Sequence, residues 1–337
     1  MTDYKDLKLI ASSNPHIRNG EDTRSLMLDV IIALMPALAM SVYLFGVRPL
    51  AAAIISAAAA MGFEWAYRKI TKKPQTVGDL SAALTGLLLA MVCPVSLPYW
   101  MLIVGDFFAI VLVKQLYGGI GKNFLNPALA GRAALVASYA SQMTNWVAPR
   151  TKLPLFLGGV DVVTAATPMA MMKEGDFAGL LSQYKLSDMF IGFIGGSAGE
   201  VSSLMLLAGG LYLIFRKVIS WHTPVAYIGT VALLSFLFPH GNDPLTYMLY
   251  SVCGGGLMLG AFFMATDYVT SPVTKKGQLI YGVGCGLLTV FIRWFGSFPE
   301  GVCYSILIMN CFTWIIDKYT KPTRFGLVKE AKEAKAK

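Results

Sequence analysis

Asp161-Val162-Val163-Thr164-Ala165-Ala166-Thr167-Pro168 lies within residues 142–187, the one long stretch of this chain that does not read as membrane. On both sides of it the sequence is mostly apolar helix. Two hydroxyl residues, alanines and a proline give a small, accessible, locally irregular backbone, such as an enzyme acting on a side-chain hydroxyl would need. The same residues also read as a capped turn, because Thr and Asp bond neighbouring backbone groups in such places and Pro168 would end whatever precedes it.

Working outward, 337 residues would allow two soluble domains, but a composition 55% hydrophobic and 14% charged, with mean hydropathy +0.59, points to a polytopic all-α membrane protein. The first 24 residues are polar and charged. No short apolar core followed by a cleavage site precedes them, so no secretory signal peptide is expected. A net charge of +9 could suggest nucleic acid. Its distribution argues otherwise: Arg68-Lys69, Lys72-Lys73, Arg216-Lys217, Lys275-Lys276 and Lys318 to Arg324 cluster in short loops between apolar runs. That is the positive-inside pattern of a bilayer protein, not a face for phosphate backbones. Cys93, Cys253, Cys285, Cys303 and Cys311 lie in or beside apolar segments without a CxxC pair, and read as buried small hydrophobes. The three histidines are widely scattered and offer no metal-site spacing.

With about twenty residues per span, ten spans are expected, at 25–45, 49–67, 80–96, 99–116, 124–141, 188–214, 222–239, 245–266, 278–296 and 301–317. A cytoplasmic N-terminus then puts nearly all the clustered Lys and Arg inside. The organisation that follows is a cytoplasmic segment 1–24, a first five-helix repeat 25–141, an extracytoplasmic loop 142–187, a second five-helix repeat 188–317 and a cytoplasmic tail 318–337. Five spans in each half make the halves run oppositely. Gly86 to Pro98 and Gly260 to Pro272 align without a gap, sharing Gly, Val, a hydroxyl residue and Pro, as a weak echo of an inverted 5+5 repeat. Pro94, Pro98 and Ser271-Pro272 are either breaks in discontinuous helices or ordinary helix ends.

Gly118-Gly119-Ile120-Gly121-Lys122-Asn123 superficially suggests a phosphate-binding loop. It lacks the motif's first glycine, and Asn123 stands where Ser or Thr should follow. Asn123, Asn126 and Pro127 turn the chain into the next span, where the amides cap the helix or, as an alternative, hold a ligand edge. Thr266, Asp267, Thr270 and Ser271 likewise read as a turn closing span eight or as polar ligand contacts. Acidic residues within apolar runs are costly and carry information. Asp106 and Glu200 are the clearest, either facing a polar interior that conducts or gates a cation, or making structural pairs. Asp29 and Glu64 lie near the inner ends of their spans, within reach of water. Arg150 and Lys152 could accompany a negatively charged phosphoester or serve as interfacial anchors. Trp100, Trp146, Trp221 and Trp294 fall near span ends, where belt residues are expected.

Thr164-Ala165-Ala166-Thr167-Pro168-Met169 resembles the flavin-attachment motif of the RnfD/NqrB family, membrane subunits of the Rnf and sodium-pumping NADH:quinone oxidoreductase complexes. Gly118 to Gly131 and Phe263 to Pro272 also resemble signatures of that family, and the likeness runs from Ser13 to Thr323. Many members have glycine where this chain has Val162 and Ala165. The chain lacks the extra length typical of NqrB, which favours the Rnf branch.

The resemblance implies a bacterial inner-membrane subunit with FMN held as a phosphoester on Thr167. Asp161, Thr164 and Ala166 would lie around the attachment point. Asn123, Asn126, Thr266 and Asp267 would lie near a second, noncovalent flavin such as riboflavin. It further implies partners, namely the A, B, C, E and G components of the Rnf complex, especially the flavin-carrying G component, and a flavin transferase for maturation. The activity implied is one-electron relay linking ferredoxin and NAD to Na+ or H+ movement, with Thr167 an attachment point and not a catalytic nucleophile. A flavin-free channel or solute transporter, or a scaffold for redox subunits, are the competing readings, since inverted repeats with broken helices also build transporters.

Overall fold

The computed structural model describes residues 22–155, 166–239, 243–296 and 300–322. Among these residues every regular element is helical. The membrane-spanning candidates begin with α1 (Thr23–Phe45) and α2 (Arg48–Ile70), separated by Gly46 and Val47. These two and α14 (Lys275–Phe295) are the three described helices long and apolar enough to cross a bilayer by themselves. A bent pair, α12 (Pro244–Cys253) followed by Leu257–Met264 at 59°, has the length and composition of a fourth, as a broken span or a re-entrant loop. That second limb is α13 (Leu257–Leu259) running into a π-helix, π2 (Gly260–Met264). α15 (Val302–Thr320) follows α14, while α3 (Ser81–Val92), α5 (Pro127–Ser138), α10 (Ser203–Phe215) and α11 (His222–Leu237) are shorter. α4 (Tyr99–Phe107) also passes into a π-helix, π1 (Phe108–Gln115). Between α5 and α10 come four small helices: α6 (Ala140–Met143), α7 (Pro168–Glu174), α8 (Phe177–Gln183) and α9 (Leu186–Ile191).

Small residues set the closest helix approaches, as expected where lipid removes the hydrophobic drive between helices. A Cβ at Gly86 of α3 would lie 2.5 Å from the Ser56 carbonyl oxygen of α2, and one at Gly286 of α14 would lie 2.6 Å from Thr230 Cβ of α11. α2 packs on α3 and α4; α11 packs on α12 and α14; α1 packs on α10.

Several expected spans are interrupted. Residues 80–96 are helical only to Val92, and 124–141 supply a 12-residue helix, α5. Residues 188–214 divide into α9 and α10, because Gly192, Gly195, Gly196 and Gly199 fall between them and the backbone there is irregular. That irregular stretch has a structural task. Ala198 N–H donates to Cys93 O (3.1 Å), and Pro94 and Ser197 form an isolated antiparallel bridge, so the backbone freed beyond α3 is paired by residues 197–199. Of the proposed breaks, Pro94 and Pro98 do end and restart helix. Ser271-Pro272 lies in an ordinary turn before α14, and the interruption in that half falls at Gly254-Gly255-Gly256 instead. Gly255 and Gly256 have φ of +63° and +68°, which side-chain-bearing residues rarely adopt. The echoed windows also differ in surroundings, since Gly86 meets α2 whereas Gly260 meets Val302 of α15.

Two buried arginines complete the backbone accounting at the breaks. Arg48 donates Nε–H to Val95 O (2.8 Å) and Nη2–H to Leu97 O (3.0 Å), and reaches Leu155 O (3.0 Å) through Nη1. Arg293 donates through Nη1 to Ser251 O (2.7 Å) and through Nη2 to Gly254 O (3.2 Å). Arg293→Met should therefore keep the packing volume but strand those carbonyls, costing about 2 kcal/mol or more. Thermal unfolding in detergent should show the loss, with Arg293→Lys intermediate. An unchanged melting temperature in the methionine variant would remove this role.

Candidate functional site

The described part of the attachment segment is Ala166-Thr167, which leads into α7; Asp161 and Thr164 lie outside the described residues. Pro168 occupies the first helical position, where its missing N–H costs nothing, and Thr167 is the N-cap. Thr167 Oγ1 accepts from Ala170 N–H (3.2 Å). Among the described residues it donates its own proton to no acceptor, and the side chain is 5% exposed. The Ala166 carbonyl accepts from Tyr184 Oη–H (3.1 Å), and Tyr184 O in turn accepts from Tyr250 Oη–H (2.6 Å). This chain of hydrogen bonds ties the residue before Thr167 to α12.

Thr167 opens on a narrow pocket whose other walls include Met169, Gly196, Glu200, Gly255 and Glu300. Glu200 does not sit in a membrane helix, as the apolar run around it suggests. It belongs to the irregular stretch before α10, with its carboxylate against Gly256. Glu300 pairs with Arg132 of α5. The pocket thus gathers the second helix break, two carboxylates and the Thr167 oxygen. The hydrogen bonding of Thr167 Oγ1 is compatible with an ester, because the bridging oxygen could still accept from Ala170 N–H and the hydrogen it replaces is used by no described residue, while Glu200 and Glu300 set like charge against a phosphate in the same pocket. Arg150 stacks over Phe193 at 4.6 Å.

A separate cavity of 340 Å³ lies among α1, α3, α10, π1 and π2. Its walls are mainly apolar, including Met27, Leu84, Leu213, Phe262 and Phe263. Asn123, Asn126, Thr266 and Asp267, far apart in sequence, all line it. Asn126 Oδ1 caps α5 by accepting from Ala128 N–H (3.1 Å), while its Nδ2–H donates to Met264 O (3.3 Å) and so ties α5 to π2. Asn123 donates to Leu125 O (3.1 Å), Thr266 to Phe262 O (2.6 Å), and Asp267 accepts from Thr270 (3.1 Å). An apolar chamber with convergent polar groups, of this size, suits a small aromatic ligand, and a flavin fits that description.

Lys114 also lines this cavity, a residue passed over when the apolar runs are read for acids alone. A lysine inside the run 99–116 is as costly as an acid there and was the available signal. Glu64 and Asp29, expected to reach water, are paired instead. Glu64 is fully buried and bonds Lys114 Nζ (2.8 Å), with Arg68 Nε at 3.8 Å. Asp29 bonds Arg216 Nη2 (3.0 Å) and Tyr212 Oη (3.1 Å). Asp106 is buried on α4, with Oδ1 2.8 Å from Ser56 Oγ and Oδ2 lacking a partner among the described residues. Ser56 Oγ also lies 2.7 Å from Gly86 O. One hydroxyl proton cannot serve both contacts, so when Ser56 donates to Gly86, the proton on the other bond must belong to Asp106. Of the cysteines, Cys311 is exposed, against expectation, on the outer side of α15.

The sequence model of the NQR2, RnfD, RnfE family matches residues 10–326. The D component of the Na(+)-translocating ferredoxin:NAD(+) oxidoreductase complex of Acetobacterium woodii is 48% identical over 333 residues, 98% of this chain and 99% of that protein. The D component of the proton-translocating ferredoxin:NAD(+) oxidoreductase complex of Clostridium ljungdahlii is 44% identical over 325 residues, 94% of this chain and 95% of that protein. The D component of an ion-translocating oxidoreductase complex of Actinobacillus succinogenes is 36% identical over 348 residues, covering 94% of this chain and 97% of that relative. With the match running over nearly its whole length, the chain belongs to the NQR2, RnfD, RnfE family.

Proposed function

We propose that this chain is the D component of an Rnf-type complex of the bacterial inner membrane, a flavoprotein that relays electrons through FMN esterified to Thr167 and helps couple ferredoxin/NAD electron transfer to Na+ or H+ translocation. Family membership supports the complex. The observation that carries the attachment site is the Thr167 oxygen, which accepts a hydrogen bond from Ala170 but gives none to the described residues. Bound flavin would supply the one-electron chemistry, while the protein fixes its position, surroundings and access to water. Tyr184 and Tyr250 would hold the attachment backbone, and the pocket beside Glu200 and Glu300 would adjoin the ester.

The cavity bearing Asn123, Asn126, Thr266 and Asp267 would take the second, noncovalent flavin, riboflavin. Asp106 and Glu200 would serve ion movement. In support, Asp106 has a carboxylate oxygen without a partner among the described residues and a hydrogen-bond arrangement that admits a proton. The pairing of α2 with α3 and α4, echoed by α11 with α12 and α14, supports the inverted 5+5 repeat. Both termini would be cytoplasmic and Thr167 extracytoplasmic. The A, B, C, E and G components of the Rnf complex would be the partners, with a transferase installing FMN from FAD.

Flavin fluorescence on a denaturing gel should disappear in Thr167→Val and persist in Thr164→Val when the transferase is present. Thr167→Val also forfeits about 1 kcal/mol of helix cap, so Thr167→Ser, which keeps the oxygen, is the control and should remain labelled. Loss of label in the Thr164 variant alone would move the site. A colourless wild-type protein that passes solute into liposomes without a redox partner would favour a transporter.

Asp106→Asn and Glu200→Gln should retain covalent flavin and complex assembly but lose most redox-driven ion uptake in proteoliposomes. Full uptake in both variants would exclude these residues from the path.

A further inference from the structure

We propose that Lys114 is the charge that reads the redox state of the ligand in the 340 Å³ cavity, through an ammonium N–H that no described residue accepts. The inference rests on the proposed riboflavin site and adds a residue to it.

The ammonium has three N–H donors. One goes to Glu64 Oε2 (2.8 Å) and one to Ser81 Oγ (2.6 Å). Among the described residues the third has no acceptor, although Lys114 is 3% exposed and lines the cavity. A buried ammonium donor without a partner is costly to leave, and the cavity is the space in which an acceptor can stand. Lys114 is the cation that lines the cavity itself, while its partner Glu64 is shared with Arg68 outside the lining and Ser81 is held by Asp79. Asp267 is the acid that lines the cavity with it.

π1 contributes to this placement. Lys114 lies near the C-terminal end of that segment, and departures of this kind from the α-helix recur at functional sites. The ligand chemistry that matches is a planar heterocycle bearing carbonyl oxygens along one edge, apolar elsewhere, which gains electron density when reduced. A cation donating to that edge favours the reduced form. Asp267, of opposite sign, favours the oxidised form. Two residues on one cavity would therefore act on the ligand's potential in opposite directions.

The test uses the full-length chain in detergent with Thr167→Val, so that no covalent flavin contributes, loaded with riboflavin. Affinity is read by equilibrium binding and potential by spectroelectrochemical titration. The variant is Lys114→Gln, in which Glu64 keeps Arg68 and the Thr76 hydroxyl as partners. The expected result is riboflavin affinity lowered about tenfold more in the reduced state than in the oxidised one, a fall of ~30 mV for a two-electron couple. Asp267→Asn should move the potential upward, and Lys114→Met, also neutral, gives the same reading of Lys114 if Lys114→Gln does not fold. Unchanged potentials in a chain that binds riboflavin overturn the role of Lys114 and leave the site standing. A chain that binds no riboflavin before any change at Lys114 overturns the site itself and the inference with it.

Discussion

Broken helices in an apolar surrounding release backbone carbonyls and N–H groups that water cannot reach, and the fold depends on finding partners for them. Two buried guanidinium groups meet much of that need. Arg48 gathers carbonyls from the stretch after α3 and from Leu155, while Arg293 gathers those at the end of α12. An arginine suits this because its planar fork donates in several directions at once and stays charged. The irregular segment 192–202 does the rest, pairing its own backbone with Cys93.

The Thr167 pocket is a by-product of the same solution. Gly254, Gly255 and Gly256 must turn tightly, and the space left without side chains there admits Glu200 and Met169. The threonine oxygen then lies beside a helix break and not on a free loop. The second chamber is built differently, from apolar walls on α1, α3 and α10 closed by two π-helical segments.

How much of this the sequence disclosed follows from how local each signal is. Apolar runs, the Thr167-Pro168 helix start and the Asn126 cap depend on neighbours in the chain, and could be read there. The convergence of Asn123, Asn126, Thr266 and Asp267 was legible only through family likeness, since no local pattern joins residues so distant. Pairing was hidden. Asp29 meets Arg216, and Glu64 meets Lys114, across separations that a residue-by-residue scan does not see. The break at Gly254-Gly255-Gly256 is not anticipated, and Ser271-Pro272 is weighed in that half because proline is the louder helix breaker, whereas glycines in an apolar run look tolerable until the positive φ of Gly255 and Gly256 is known.

The near-complete enclosure of Thr167 bears on the order of events during assembly. An oxygen with so little open surface, already engaged as the start of α7, leaves little approach to a second macromolecule among the described residues. On the proposed reading, an enzyme that esterifies Thr167 would act before Tyr184 and Tyr250 fasten Ala166 in place. Folding would then seal the modified side chain in place, making maturation a matter of timing between a newly inserted chain and its visitor.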